Sequence, residues 1–139
     1  MTPDALARLH RRSIRTPRPW SAKEFESLLG LPGVFLTGDP QSFALGRVIA
    51  GEAELLTLVV DPQERRQGRG RACLAAYEAE ALLRGAQRSF LDVAEDNAAA
   101  IALYSALGYT ECGRRKAYYQ TETGAGRDAL TLSRRLLQP

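Results

Sequence analysis

The sequence predicts an α/β (α+β) domain: a mixed, mostly antiparallel sheet with one central pair of parallel strands, flanked by helices. Three stretches predict it. The apolar run at residues 55–60 passes through Asp61-Pro62 into a glycine-bearing turn and a helical pattern, and a second apolar run at 89–93 follows that helix. Two strands joined by a helical crossover lie parallel in one sheet. Before this unit, runs of strand period separated by short Gly- and Pro-bearing turns read as an antiparallel meander, and after it two runs around a glycine-rich loop read as a long hairpin.

Thr2-Pro3-Asp4 opens a short helix to about Arg12, because threonine caps well and proline suits a first turn. His10, at its end, reads as a surface or packing histidine rather than a ligand. After the linker Thr16-Pro17-Arg18-Pro19, Ser21 and Glu24 form a capping box, with Trp20 able to staple onto Phe25. A second helix therefore runs from Ala22 to about Leu29. Two short helices on a rigid linker make a lip over a sheet, which places Trp20 at an entrance. The meander comprises residues 34–37, 42–49 and 53–60, turned at Gly38-Asp39-Pro40 and Ala50-Gly51-Glu52. In the helix after the glycine turn, Gly70, Cys73, Leu74, Tyr77 and Ala81 share an inner face, Glu80 and Arg84 are spaced as an i,i+4 pair, and Gly85 stops the helix. A further helix runs from about Asn97 to Leu107, closed by Gly108. Asn97, Ala100, Ile101, Tyr104 and Leu107 fall on one side of it, so Asn97 and Tyr104 face the same way, about 10 Å apart along the axis. Residues 114–119 and 128–134 are the arms of the hairpin around Gly124 and Gly126.

With 139 residues, 45% hydrophobic and 25% charged, residues 1–139 form a single domain large enough for its own core. There is no apolar run near the length of a membrane span, and the first residues alternate charged with apolar positions. The expectation is a cytoplasmic protein with no membrane partner. Cys73, Cys112 and the lone His10 have no metal-ligand spacing, so no metal is expected and the thiols are read as reduced. A formal net charge of +3 suits a polyanionic ligand. The arginines cluster at 65–71 and 114–115 without interleaved aromatics, so direct nucleic-acid binding is not expected.

The turn Arg65-Arg66-Gln67-Gly68-Arg69-Gly70-Arg71 carries the first chemical signal. Two glycines two residues apart let successive N–H groups and the positive end of the following helix converge on one phosphate. Arg71-Ala72 stand where a P-loop needs Lys-Ser/Thr, and Cys73 stands where a dinucleotide fingerprint needs its third glycine, so both nucleotide readings fail. A glycine turn with a solvated basic rim is the plain alternative.

The spacing Gln/Arg-x-x-Gly-x-Gly, met by Arg65, Gly68 and Gly70, resembles the pyrophosphate loop of the GNAT superfamily of acyl-CoA N-acyltransferases. The stretch from Asn97 through Ala100, Leu103 and Tyr104 to Gly108-Tyr109 resembles that fold's last motif, Asn-x-x-Ala-x-x-Leu-Tyr-x-x-x-Gly-Phe/Tyr. Pro19-Trp20-Ser21, the run 56–62, Arg114-Arg115 leading to Tyr118-Tyr119, and Asp128-Ala129-Leu130 extend the likeness over nearly the whole chain. Within the superfamily they resemble the bacterial ribosomal-protein-alanine N-acetyltransferases, the RimI group. The resemblance implies the GNAT fold and transfer of acetyl from acetyl-CoA, as co-substrate and without a metal, to the N-terminal α-amino group of a protein. The N-terminal alanine of a small-subunit ribosomal protein is the acceptor it points to, attacked directly in a ternary complex. It also implies that the main chain of Leu58, Val59 and Val60 binds the pantetheine arm. The pyrophosphate would sit on Arg66, Gln67, Gly68, Arg69, Gly70 and Arg71, and Asn97 would hold the arm's far side.

That chemistry needs a base, an acid and an oxyanion donor. A peptide ammonium with a pKa of about 8 must lose a proton before it attacks. Asp92, in an otherwise apolar strand where desolvation would raise a carboxylate's pKa, is the leading base. The family usually has glutamate there; aspartate is one methylene shorter, which brings in a bridging water. Glu54, on the neighbouring strand, is the second candidate, and a purely structural Asp92 satisfied by backbone or arginine is the third reading. Tyr104 matches the family's general acid. A backbone N–H near Val59-Val60 is the oxyanion donor if the two parallel strands splay apart. Cys73 lies on an inward helical stripe where packing explains it better than nucleophilic catalysis. Two other functions stay open: a GNAT acetyltransferase of a small amine or lysine side chain, and a non-catalytic acyl-CoA-binding or nucleic-acid-binding module.

Overall fold

A computed structural model describes residues 1–14, 18–65, 67–120 and 124–136, Gln120 by its backbone alone. Thr16 and Pro17 of the linker lie outside the described residues. Helix α1 (Pro3–Ser13) begins where Thr2 Oγ1 accepts the Ala5 N–H at 3.1 Å. Helix α2 (Ala22–Leu29) has both halves of its capping box: Glu24 N–H donates to Ser21 Oγ at 3.2 Å, and Ser21 N–H donates to Glu24 Oε1 at 3.0 Å. Trp20 packs edge-on against Phe25, with ring centroids 5.4 Å apart.

Strands β1 (Val34–Asp39), β2 (Ser42–Ile49) and β3 (Glu52–Val60) form the meander. The first turn is tighter than expected, because β1 runs on through Gly38 and Asp39 to pair with Phe43 and Ser42. The Asp39 carboxylate holds it by accepting from the N–H groups of Gln41 (2.8 Å) and Ser42 (3.0 Å). A short 3-10 turn (Pro62–Glu64) leads to α3 (Arg69–Leu83), then β4 (Arg88–Ala94), α4 (Ala98–Ala106), β5 (Thr110–Gln120) and β6 (Gly126–Arg135). The six strands form one sheet in the order β1-β2-β3-β4-β6-β5. Only the β3–β4 pair is parallel, as the helical crossover requires. Asn97 precedes α4 as its cap rather than belonging to it: its Oδ1 accepts the Ala100 N–H at 3.2 Å. Strand β5 starts four residues earlier than expected.

Alternation along β2 shows how the sheet is covered on both faces. Phe43 and Leu45 point into a core with Leu6, Leu9 and Phe25 of α1 and α2, while Ala44 points into a core with Leu74 and Tyr77 of α3. Of the inner face expected for α3, Cys73, Leu74, Tyr77 and Ala81 are buried and Gly70 is half-buried at the helix start, and the Arg84–Glu80 pair forms at 2.8 Å. α3 approaches β2 so closely that a Cβ on Gly46 would lie 2.6 Å from the Tyr77 ring and 2.7 Å from Phe35.

The sheet is not continuous at its centre. The β3–β4 ladder holds only Glu52↔Arg88, Ala53↔Ser89 and Glu54↔Phe90. Beyond it β3 stays with β2 as far as Val60↔Ser42, and β4 stays with β6 as far as Ala94↔Ala129, so the parallel strands part. A register shift between β2 and β3 leaves Leu56 without a partner at this height, and such bulges bend the strand that carries them.

Candidate active site

The parted strands enclose a cavity of about 110 Å³. β3 supplies Thr57 and Leu58, β4 supplies Asp92 and Ala94, and α4 supplies Ala100 and Tyr104. Trp20 and Tyr119 close it from the lip and the hairpin. Tyr104 is only 7% exposed and packs edge-on against Tyr109 at 5.8 Å. Burial pushes its phenol above the usual tyrosine range, so the group is protonated at neutral pH. Among the described residues nothing hydrogen-bonds this hydroxyl, which leaves its proton for a ligand in the cavity.

Of the two candidate carboxylates, Asp92 lines the cavity, whereas Glu54, in the last rung of the β3–β4 ladder, lines a separate hollow with Arg47 and Phe90. Asp92, its side chain 18% exposed, accepts from Thr131 Oγ1–H at 2.6 Å and stands 3.8 Å from Arg115 Nε. Thr131 is its partner across the β4–β6 ladder, a contact that strand pairing alone reveals. Glu54 is half-buried opposite Arg47 of β2. Burial raises its carboxyl pKa, the negative charge of Asp92 adds to the rise, and Arg115 and Arg47 oppose it.

A second groove runs from this cavity to the start of α3. It is lined by Leu58, Val59, Val60, Gly68, Arg69, Gly70 and Asn97, which gathers seven of the ten expected cofactor residues in one place. The edge of β3 from Leu55 onward has no strand beside it on the β4 side, so its main-chain groups face the groove. Gly68 adopts φ +75°, a left-handed conformation that suits glycine, and α3 follows at once. Its first closed backbone bond runs from Ala72 N–H to Gly68 O, so the preceding N–H groups have no helical carbonyl to bond. Such free main-chain N–H groups at a helix start form a cradle that suits an anion.

The arginines around the cradle are less free than their number suggests. Arg69 is drawn to Glu64 (3.5 Å) and Asp39 (3.7 Å), and Arg65 donates to Ser13 O at 3.2 Å. Gln67 and Arg71 are exposed beside the groove, and Arg66 lies outside the described residues. Ser13 and Ile14, which the sequence reading left out, complete the wall from the end of α1. Cys73 is buried with its thiol pushed up to about 12, consistent with packing, and Cys112 is exposed.

Of the two readings of His10, surface or packing, the structure has packing, against Trp20 and Phe25. The histidine is 1% exposed and lines the cavity. Trp20 N–H donates to its Nδ1 at 2.8 Å, so Nε2 carries the proton and donates to Thr57 Oγ1 at 3.0 Å. Helical spacing had signalled this, since His10 follows Leu6 by four residues and Ala7 by three on the buried stripe of α1.

The hairpin reaches the cavity through a kink. Ala117 has φ +49°, the β5–β6 register shifts between Arg115 and Tyr119, and Asp128 accepts from Ala117 N–H at 2.9 Å while pairing with Arg114 at 2.7 Å.

Comparison with known proteins agrees with this geometry. Residues 4–109 match the acetyltransferase (GNAT) family. The chain is 40% identical over 127 residues to the [ribosomal protein bS18]-alanine N-acetyltransferase of Escherichia coli K12, covering 88% of this chain and 86% of that one. It is 34% identical over 125 residues to the N-alpha-acetyltransferase RimI of Mycobacterium tuberculosis, covering 84% and 75%. The crystal structure of the ribosomal-protein-S18-alanine N-acetyltransferase from Escherichia coli superposes with a TM-score of 0.84 at 35% identity, over 97% of this chain and 88% of that one.

Proposed function

The chain belongs to the GNAT acetyltransferase family, and from that premise we propose that it acetylates the N-terminal α-amino group of a protein, the N-terminal alanine of a small-subunit ribosomal protein. One observation carries the reading. The open edge of β3 and the α3 cradle form one continuous groove, which ends in a cavity holding a protonated phenol and a carboxylate.

Acetyl-CoA, the co-substrate, fits that groove by chemistry. Main-chain N–H groups at Gly68–Arg71 suit its pyrophosphate, and the free edge at Leu58, Val59 and Val60 suits the amides of its pantetheine arm. Asn97 Oδ1 caps α4, and its amide NH₂ can donate to the arm. The acceptor enters between Trp20 and Tyr119. Its ammonium loses a proton to Asp92, directly or through one water, with Glu54 the competing base. The neutral amine then attacks the thioester carbonyl, and a main-chain N–H of Val59-Val60 faces the oxyanion. As the tetrahedral intermediate collapses, the C–S bond breaks, the thiolate takes the Tyr104 proton, and the second proton lost by the attacking nitrogen passes through water to restore the phenol. The products are the N-acetylated protein and CoA.

The test is CoA release against a panel: short peptides that differ only at residue one, spermidine, and a lysine peptide with a blocked N-terminus. The alanine-first peptide should give the highest kcat/KM. Preference for spermidine or the blocked lysine peptide would assign the acceptor groove to small amines or side chains.

A further inference from the structure

Beside the apolar core that α1 and α2 share with the sheet, one side chain hydrogen-bonds both the lip of the cleft at Trp20 and its floor at Thr57. His10 stands at the end of α1, hydrogen-bonded on one side to the main chain of Trp20 and on the other to Thr57 of β3, with its ring stacked on the Trp20 indole at 4.9 Å and 27° and set edge-on to Phe25 at 5.3 Å. Trp20 and Thr57 both line the cavity, one on the acceptor side and the other next to Leu58 on the strand assigned to the pantetheine arm. Building on the acceptor reading above, we propose that His10 is a positioning residue for the acceptor: in its neutral Nε2–H form it fixes Trp20 against β3 and so sets the width of the acceptor entrance.

The geometry makes this dependence specific to one tautomer. Nδ1 can accept from Trp20 N–H only while it carries no proton. A protonated ring turns two donors toward each other and releases the lip, whereas the bond to Thr57 survives in both states. Around the ring, Glu24 of α2 is the one charged group that favours protonation, and Thr57 of β3 is neutral. Asp92 of β4, Tyr104 of α4 and Tyr119 of β5 share its cavity, and Arg12 on its own helix is held by Asp61 at 3.0 Å. Burial outweighs Glu24 and lowers the imidazole pKa to about 4, so the positioning form prevails at neutral pH.

Two substitutions separate the ring's bonds. His10→Asn keeps an acceptor near the Nδ1 position, His10→Gln keeps a donor near Nε2, and His10→Leu keeps neither. Steady-state kinetics should show the acceptor-peptide KM rising about tenfold in His10→Leu and His10→Gln, with the acetyl-CoA KM within about twofold of wild type and His10→Asn recovering most of the loss. An unchanged peptide KM in His10→Leu, a matching rise in both KM values, or an Asn variant no better than Leu would overturn the assignment. Should the variants fail to fold, the wild type decides. Trp20 is the only tryptophan, so its fluorescence reports protonation of the stacked imidazole. Binding of the N-acetylated product peptide, which has no titrating amine, should weaken along the same curve, with its midpoint near 4 and circular dichroism unchanged. Fluorescence that titrates while peptide affinity stays constant overturns the proposal. A wild type that acetylates no peptide removes the acceptor reading and this one together, whereas an active wild type with an unmoved KM in His10→Leu removes this one alone.

Discussion

Tyr104 and the two carboxylates bear the chemical claims, and each makes a different kinetic prediction. If the buried phenol protonates the departing thiolate, Tyr104→Phe should lower kcat by roughly 10²-fold while acetyl-CoA affinity by titration calorimetry stays near wild type, because the loss is confined to the transition state. Wild-type turnover would reduce Tyr104 to packing against Tyr109. For the base, pH profiles of kcat/KM separate the candidates. With Asp92 as base, Asp92→Asn removes the enzyme's acidic limb and slows transfer, and Asp92→Glu is tolerated. With Glu54 as base, Asp92→Asn removes a negative charge that raises the Glu54 pKa, so the acidic limb shifts to lower pH instead of vanishing, and Glu54→Gln abolishes it. Tyr104 and Asp92 were legible in the sequence because motif spacing places them. The partners Thr131 and Arg115 were not, since register across β4, β6 and β5 brings them from 23 or more residues away. His10 was half-legible: its helical stripe marked it for burial, but its two hydrogen bonds depend on how the lip folds back.

Among the elements, the turn into α3 is the one whose chemistry depends least on side chains. The cradle is built from main-chain N–H groups, and Arg69 spends its guanidinium on Glu64 and Asp39. Gly68→Asp should therefore weaken acetyl-CoA binding sharply in calorimetry, by placing a negative charge and a Cβ at a left-handed position beside the pyrophosphate. Unchanged affinity in a folded variant would contradict the phosphate-loop assignment. On the opposite side of α3, Gly46→Ala tests the close helix–sheet approach. The new methyl would meet the stacked rings of Tyr77 and Phe35, so urea unfolding should show a loss of about 1–3 kcal/mol, with binding altered only as far as α3 shifts. Every helix and strand was visible as periodicity, capping or turn chemistry, and the errors were confined to ends. Those ends moved for local reasons: the Asp39 carboxylate tightens one turn, and Asn97 spends its amide oxygen as a cap.

Across the whole molecule, the buried titratable groups set a pH window for folding. His10 has a folded pKa of about 4 against an ordinary value of 6.5, so the stability it contributes is present above 6.5 and is lost as pH falls through that interval. Tyr77, Tyr104 and Tyr109 have phenols raised by burial, so their contribution is present below the usual tyrosine pKa of about 10 and is lost above it. Urea midpoints measured across pH should form a plateau between these limits, and His10→Asn should flatten the acidic shoulder. A shoulder unchanged in that variant would assign it to carboxylates instead. The parting of β3 and β4 belongs to this scale as well. The sequence showed the parallel pair, but where its ladder stops is decided jointly by the β2–β3 register shift and by β6 holding β4. That gap is where the reaction is assigned, and its acceptor can be read directly from product. One peptide bearing both a free N-terminal alanine and an internal lysine, incubated with the enzyme and acetyl-CoA, should carry a single acetyl group that tandem mass spectrometry places on the alanine α-nitrogen. Acetyl on the lysine side chain, or none on a peptide whose α-amine is free, would contradict the account.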